Sequence, residues 1–145
     1  NDLKNYNEIA DIVKSAEIVN DTIGISIYAK EDKNANLICA KAADELLTIS
    51  NITASFVIGD MGDKICISGR SIGDINVQVI LEKLGGGGHI TVAGAQIEDI
   101  SIEEAKHLKL HYSKYLKSGV KSMKKPPKII FEKYLYNLFK RWRYC

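Results

Sequence analysis

The residues most able to do chemistry lie in the segment 84–97, LGGGGHITVAGAQI, where four consecutive glycines precede a histidine. Glycine loses more backbone entropy on folding than any other residue, so a run of four is costly unless the glycines have a specific role. Its physical use is to bring bare backbone against a ligand and to offer N–H groups to an anion. His89 can donate a hydrogen bond to phosphate or stack on a base. Taken alone, the pattern fits a flexible turn with a surface histidine equally well.

A second candidate is the tetrapeptide Ser68-Gly69-Arg70-Ser71, at the end of a predicted strand. From there a guanidinium can reach into a cleft and grip a phosphate bidentately. The alternative is a solvated arginine at a strand end. Neither a P-loop nor a dinucleotide fingerprint is present, because the GK[ST] triplet and the GxGxxG spacing are both absent.

Other reactive side chains form no recognisable site. His107 and His111 are four residues apart and could clip a metal, but they lie on a basic helix without a nearby carboxylate, which favours a solvated face. Cys39, Cys66 and Cys145 form no CxxC pair. Their spacing favours reduced thiols, with the first two as small core residues; a disulfide is the alternative.

Hydrophobic spacing predicts an α/β (α+β) fold in which helices cover a mixed sheet. The segment 74–84 fits both a helix and a strand, and Gly85, a usual left-handed stop, favours the helix. The turn sequence DMGD between the predicted strands 52–59 and 64–70 indicates that they form a hairpin. The other predicted elements are helices at 5–18, 36–49 and 101–117 and strands at 23–28 and 95–100.

Charge divides the chain in two. Residues 1–105 hold 8 Lys/Arg against 17 Asp/Glu, whereas residues 106–145 hold 12 Lys/Arg against Glu132 alone. We expect a first domain at 1–117 and a basic, aromatic tail at 118–145. The tail could bind nucleic acid or an anionic membrane surface, or it could be non-native sequence from a reading-frame change. The first residue, Asn1, suggests a piece of a longer protein, and no stretch approaches a membrane span.

Three motifs in order, ASFVIG, ISGRS and INVQVILEKLGGGGHITVAGAQ, resemble the DHH-associated domain of Asp-His-His phosphoesterases. Within that superfamily they are most similar to the cyclic di-AMP phosphodiesterases of Gram-positive bacteria. The resemblance covers residues 1 to about 116. It implies that this chain grips the substrate, cyclic di-AMP or pApA, while a preceding domain carries the Asp-His-His motif. The implied contacts are Arg70, Ser71, Gly85, Gly86, Gly87, Gly88, His89 and, more weakly, Ser68.

In this family the preceding domain binds two divalent metals, usually manganese, which activate a water for attack on phosphorus. The chain has no Asp-His-His triplet, so we expect it to hold no metal and to hydrolyse nothing alone. The resemblance also implies a cytoplasmic domain in a membrane-anchored parent; a homodimer is a further expectation. Alternatives are a nano-RNase or RecJ-like relative acting on short RNA or single-stranded DNA, and more distantly the alanyl-tRNA synthetase C-terminal module. A basic adaptor acting through the tail is a different class of function.

Overall fold

The computed structural model describes residues 2–19, 21–72, 75–82, 84–98 and 102 of the 145-residue chain. In this part a six-stranded sheet is covered by helices, which confirms the predicted α+β class. The elements in chain order are α1 (Leu3–Lys14), β1 (Glu17–Val19), β2 (Ile23–Glu31), α2 (Ala35–Leu46), β3 (Ala54–Asp60), β4 (Ile65–Ser71), α3 (Val77–Glu82), β5 (Gly87–Gly88) and β6 (Val92–Ile97).

The strands lie in the order β1-β2-β3-β4-β6-β5. Strands β2 and β3 are parallel, since α2 carries the chain back between them, and the other neighbours are antiparallel. The predicted hairpin is confirmed as β3 and β4. Two short edge strands, β1 and β5, were not predicted from the sequence, because three residues and a glycine pair are too short to show alternation.

Each face of the sheet packs against different helices. On one face the core includes Ile65, Ile67 and the α3 residue Leu81. On the other face Cys66 packs with α1 and α2. Because side chains alternate along a strand, Ser68 and Arg70 share the α2 face with Cys66. A ligand bound on one face of the sheet can therefore meet only every second residue of β4.

The segment before the glycine run is a helix, as preferred over a strand, but it is shorter than predicted. It ends at Glu82, and Gly85 follows with a φ of +85°, in the left-handed region. The Gly86 N–H donates to the Leu81 carbonyl at 2.8 Å, which closes the last turn. Strand β6 begins earlier than the predicted 95–100, because small residues at its start pair with β4. Apart from Ile102, which is helical, the predicted helix 101–117 and the tail lie outside the described residues.

Cys39 and Cys66 are buried, which confirms the prediction that they are small core residues, and both are free thiols in this structure. They meet beside Gly59. Their mutual hydrogen bond raises the pKa of Cys39, with burial adding to the effect, and lowers the pKa of Cys66. A Cβ built on Gly59 would lie 2.5 Å from the Cys39 sulfur and 3.0 Å from that of Cys66. The missing side chain thus makes room for two sulfurs between α2 and the sheet.

Gly59→Ala is expected to lower the free energy of unfolding by about 1–3 kcal/mol, the usual cost of overpacking a close-packed core. Gly24→Ala is the matched control in the neighbouring strand. Its Cβ would meet only flexible side-chain ends, the nearest being the Ile52 Cδ1 atom at 3.3 Å. Its expected change is within about 1 kcal/mol. Urea unfolding of both variants measures the difference, and equal losses would contradict the packing account.

No helix in the described part of the chain is both long enough and apolar enough to cross a membrane.

Candidate nucleotide-binding cleft

A cleft of about 640 Å³ lies on the α2 face of the sheet, between α2 and strands β4, β6 and β5. Its size is typical of small-ligand sites, which range from roughly 300 to 1,000 Å³. Among the residues that line it are seven of the eight sequence-predicted contacts. Those seven are Ser68, Arg70, Gly85, Gly86, Gly87, Gly88 and His89.

The strand register arranges the floor of the cleft in rows. Ser68 pairs with Gly94 on β6, and Gly94 pairs with Gly87 on β5. Residues directly opposite each other in antiparallel strands share a face, so this row carries one hydroxyl and no other side-chain atoms. Arg70 lies in the next row, opposite Val92. The middle of the floor is therefore almost bare backbone, and the Arg70 and Val92 side chains lie in the row beside it.

Along the run Gly85–Gly88, the space available for a side chain alternates between open and filled. A Cβ on Gly86 would lie 2.7 Å from the Ala95 Cα atom, and one on Gly88 would lie 2.6 Å from the Ala93 Cα atom. These two glycines allow β5 to pack directly on β6. A Cβ on Gly85 or Gly87 would meet nothing within 4 Å. Gly86 and Gly88 are therefore needed for the packing of β5 on β6, whereas the Cβ positions of Gly85 and Gly87 are open.

Arg70 is held in place from two sides. Its Nε donates to the Asp44 Oδ1 atom at 2.8 Å, and its Nη1 donates to the Gly69 carbonyl at 2.8 Å. A longer Nη1 bond of 3.4 Å reaches the Ala93 carbonyl. Among the described residues, Nη2 has no hydrogen-bond partner. The side chain is only 12% exposed, so the guanidinium is oriented before any ligand arrives.

The two predicted serines lie on opposite faces of β4. Ser68 is 6% exposed, lines the cleft, and its hydroxyl has no hydrogen-bond partner among the described residues. A buried hydroxyl normally has a partner, so this one can serve a ligand. Ser71 faces away from the cleft, and its hydroxyl donates to the Ile75 carbonyl at 2.6 Å. The structure thus brings together all the predicted contacts except Ser71.

His89 lies in the turn between β5 and β6, at the Arg70 end of the cleft. Its N–H donates to the Val92 carbonyl at 2.6 Å, which fixes the turn. The residue is exposed, and its ring makes no hydrogen bond to the described residues. The imidazole is therefore available to a ligand from solvent.

Helix α2 forms the wall of the cleft, which sequence reasoning missed. Asn36, Leu37 and Ala40 line it, and Asp44 continues the same helix edge to reach Arg70. The spacing of four residues between Asn36, Ala40 and Asp44 marks one face of a helix. That stripe was visible in the sequence, but nothing in it indicated that the face meets the glycine loop.

The described residues hold no group of three or more His, Cys, Asp or Glu side chains able to bind a metal ion. His107 and His111, the weak metal candidates, lie outside the described part of the chain.

Comparison with known proteins supports one family. The model of the DHHA1 domain matches residues 20–115. The chain is 50% identical over 105 residues to the cyclic-di-AMP phosphodiesterase GdpP of Geobacillus thermodenitrificans, with 70% of this chain and 16% of that protein covered. It is 43% identical over 105 residues to the cyclic-di-AMP phosphodiesterase PdeA of Listeria monocytogenes, with 72% of this chain and 16% of that protein covered. The chain thus spans about a sixth of the length of each of these two relatives.

A solved structure shares the fold. An exopolyphosphatase-related protein from Bacteroides fragilis aligns with a TM-score of 0.63 at 19% identity. The alignment covers 81% of this chain and 36% of that protein.

Proposed function

Because this chain belongs to the DHHA1 domain family, we propose that it is the substrate-binding domain of a phosphodiesterase that cleaves cyclic di-AMP or its linear product pApA. The relatives that match it at 50% and 43% identity are cyclic-di-AMP phosphodiesterases by name. The observation that carries the proposal is the cleft. It combines an oriented guanidinium, a buried hydroxyl that no other described residue hydrogen-bonds, and a strip of side-chain-free backbone.

We assign phosphate binding to the Arg70 end of the cleft. Nη2 of Arg70 would donate to a phosphate oxygen, and the Ser68 hydroxyl would donate to the same group or to a ribose oxygen. The open backbone at Gly85 and Gly87 would let the sugar-phosphate chain lie close to the floor. Ser71 has a supporting role, since its bond to Ile75 ties the end of β4 to the start of α3.

The chemistry itself is assigned to an Asp-His-His domain of the same parent protein. Two divalent metals there, expected to be manganese, would supply an activated water and neutralise developing charge. This chain would bind and orient the dinucleotide on the opposite side, and alone it would hydrolyse nothing. A cytoplasmic location in a membrane-anchored parent, and a homodimer, remain predictions.

His89→Ala is expected to weaken binding of pApA to the 145-residue chain roughly tenfold, the usual effect of losing one hydrogen bond to a charged group. Thr91→Ala is the matched control. Thr91 is exposed in the same turn but does not line the cleft. Calorimetric titration with cyclic di-AMP, pApA and a five-nucleotide RNA, all without metal, measures the affinities.

Binding of the two adenine dinucleotides that is weakened in His89→Ala and unchanged in Thr91→Ala supports the proposal. Tighter binding of the longer RNA would favour the oligonucleotide-exonuclease alternative. If the whole chain binds RNA with steep salt dependence, and truncation after Lys117 abolishes it, the tail is the functional element and the cleft is not.

A further inference from the structure

The two ends of the cleft differ in chemistry. Arg70 and His89 are at one end. On β6, Val92 lies opposite Arg70. Gln96 is four residues further along the same strand and lies opposite Cys66. Four residues of strand span roughly 13 Å. On the wall, Asn36 and Asp44 are eight residues apart in α2, or about 12 Å. The Asp44 side chain contacts Arg70, so Asn36 lies towards the end marked by Gln96.

The far end of the cleft carries two amides and an apolar surface. Asn36 and Gln96 line it, and neither side chain makes a hydrogen bond to the described residues. Leu37, beside Asn36, is 58% exposed although it is a large aliphatic side chain. The leucine offers an apolar surface, and the two amides offer polar groups that no other described residue uses, the two kinds of contact that small-ligand sites combine.

The middle of the cleft is built from small residues. Ala40 on the wall faces the row of Ser68, Gly94 and Gly87 on the floor. A sugar needs this space if a phosphate is bound at one end and a base at the other. The separation of about 12–13 Å suits a nucleotide lying along the floor.

We propose that Asn36, Leu37 and Gln96 form a nucleobase-reading end of the cleft, with Leu37 against the face of the base and the two amides on its edge. This assignment rests on the proposed function, since it takes the Arg70 end as the phosphate site. An amide offers one donor and one acceptor, which is the pattern that adenine presents at N6 and N7, or at N6 and N1. These residues are therefore specificity-determining, whereas Arg70 and His89 act on any nucleotide.

The test exchanges one amide for a carboxylate of the same shape. An ionised carboxylate only accepts hydrogen bonds, so Gln96→Glu removes the donor that adenine requires. It gains two donors from guanine, N1–H and N2–H. We expect Gln96→Glu to bind pApA about tenfold more weakly and pGpG about tenfold more tightly than the wild-type chain. Leu37→Ser should weaken both dinucleotides about tenfold, because a stacked base loses its apolar surface.

Ribose 5-phosphate carries a phosphate but no base, so its binding tests the Arg70 end of the cleft alone. NMR titration of the whole chain measures its affinity. Gln96→Glu and Leu37→Ser should bind ribose 5-phosphate as tightly as the wild-type chain, and Arg70→Ala should not bind it. Leu3→Ser is the control for an exposed leucine elsewhere, because Leu3 is 74% exposed on α1 and does not line the cleft. It should leave all three affinities unchanged.

Two results would overturn the assignment while the proposed function stands. One is that Gln96→Glu keeps the wild-type preference for pApA over pGpG, and Leu37→Ser keeps the wild-type affinity for both, while Arg70→Ala loses both. The other is that the two variants lose ribose 5-phosphate as strongly as they lose the dinucleotides. If the wild-type chain binds none of the three ligands, the proposed function fails and the assignment fails with it.

Discussion

Arg70→Ala is expected to weaken binding of pApA by about 2–4 kcal/mol, roughly a 30- to 700-fold higher Kd. The guanidinium is pre-oriented by Asp44 and by the Gly69 carbonyl, so little of its binding energy is spent on ordering. The fold should tolerate the change. Asp44 is 64% exposed and can be hydrated once its partner is removed, so the stability loss should stay within about 1 kcal/mol.

Two variants calibrate this result. Arg70→Lys keeps the charge but loses the planar fork, and should recover only part of the affinity. Lys30→Ala breaks an ion pair of 3.0 Å with Glu8, and neither partner lines the cleft. It should leave the Kd unchanged in the same calorimetric titration. Equal affinities of the wild-type and Arg70→Ala chains would show that the guanidinium has only a structural role.

Adjacent glycines in the run should respond to alanine in opposite ways. Gly86→Ala is expected to destabilise the chain by about 3 kcal/mol or more, because the new methyl meets backbone of β6 that cannot rotate away. Gly87→Ala should change the free energy of unfolding by less than about 1 kcal/mol, since its Cβ would enter open space and its φ is not left-handed. That methyl would stand on the floor of the cleft. It should therefore weaken pApA binding at least about tenfold, by displacing the ligand from the backbone.

Urea unfolding and pApA titration of the same two proteins test both halves of this prediction. Loss of affinity in Gly87→Ala without loss of stability would show that the ligand lies on the glycine strip. Full affinity in Gly87→Ala would place the ligand elsewhere, whatever the stability of Gly86→Ala. A stable Gly86→Ala chain would mean that β5 does not pack on β6 as described.

Local pattern was sufficient for the central elements. Alternating isoleucines identified β2, and the hairpin of β3 and β4 followed from two apolar runs joined by a turn. The element boundaries differ from those predicted. The predicted helix 5–18 is α1 at Leu3–Lys14 followed by a bend into β1, because Asp2 caps the helix and Ser15 ends it. The Asp2 side chain accepts from the Asn5 N–H, and an aspartate at this position is a local signal for a helix start.

Residue types and their order along the chain were enough to indicate the family, the fold class and seven of the residues that line the cleft. Short motifs carry this information, so it can be obtained from the sequence alone. Which face each residue meets could not be read in this way. Ser68 and Ser71 differ by three positions and so point to opposite sides of β4, and only the helices packed there decide which side is the cleft. Asp44 and Arg70 are 26 positions apart in sequence, and they form an ion pair because α2 packs over β4, a long-range contact that no local pattern contains.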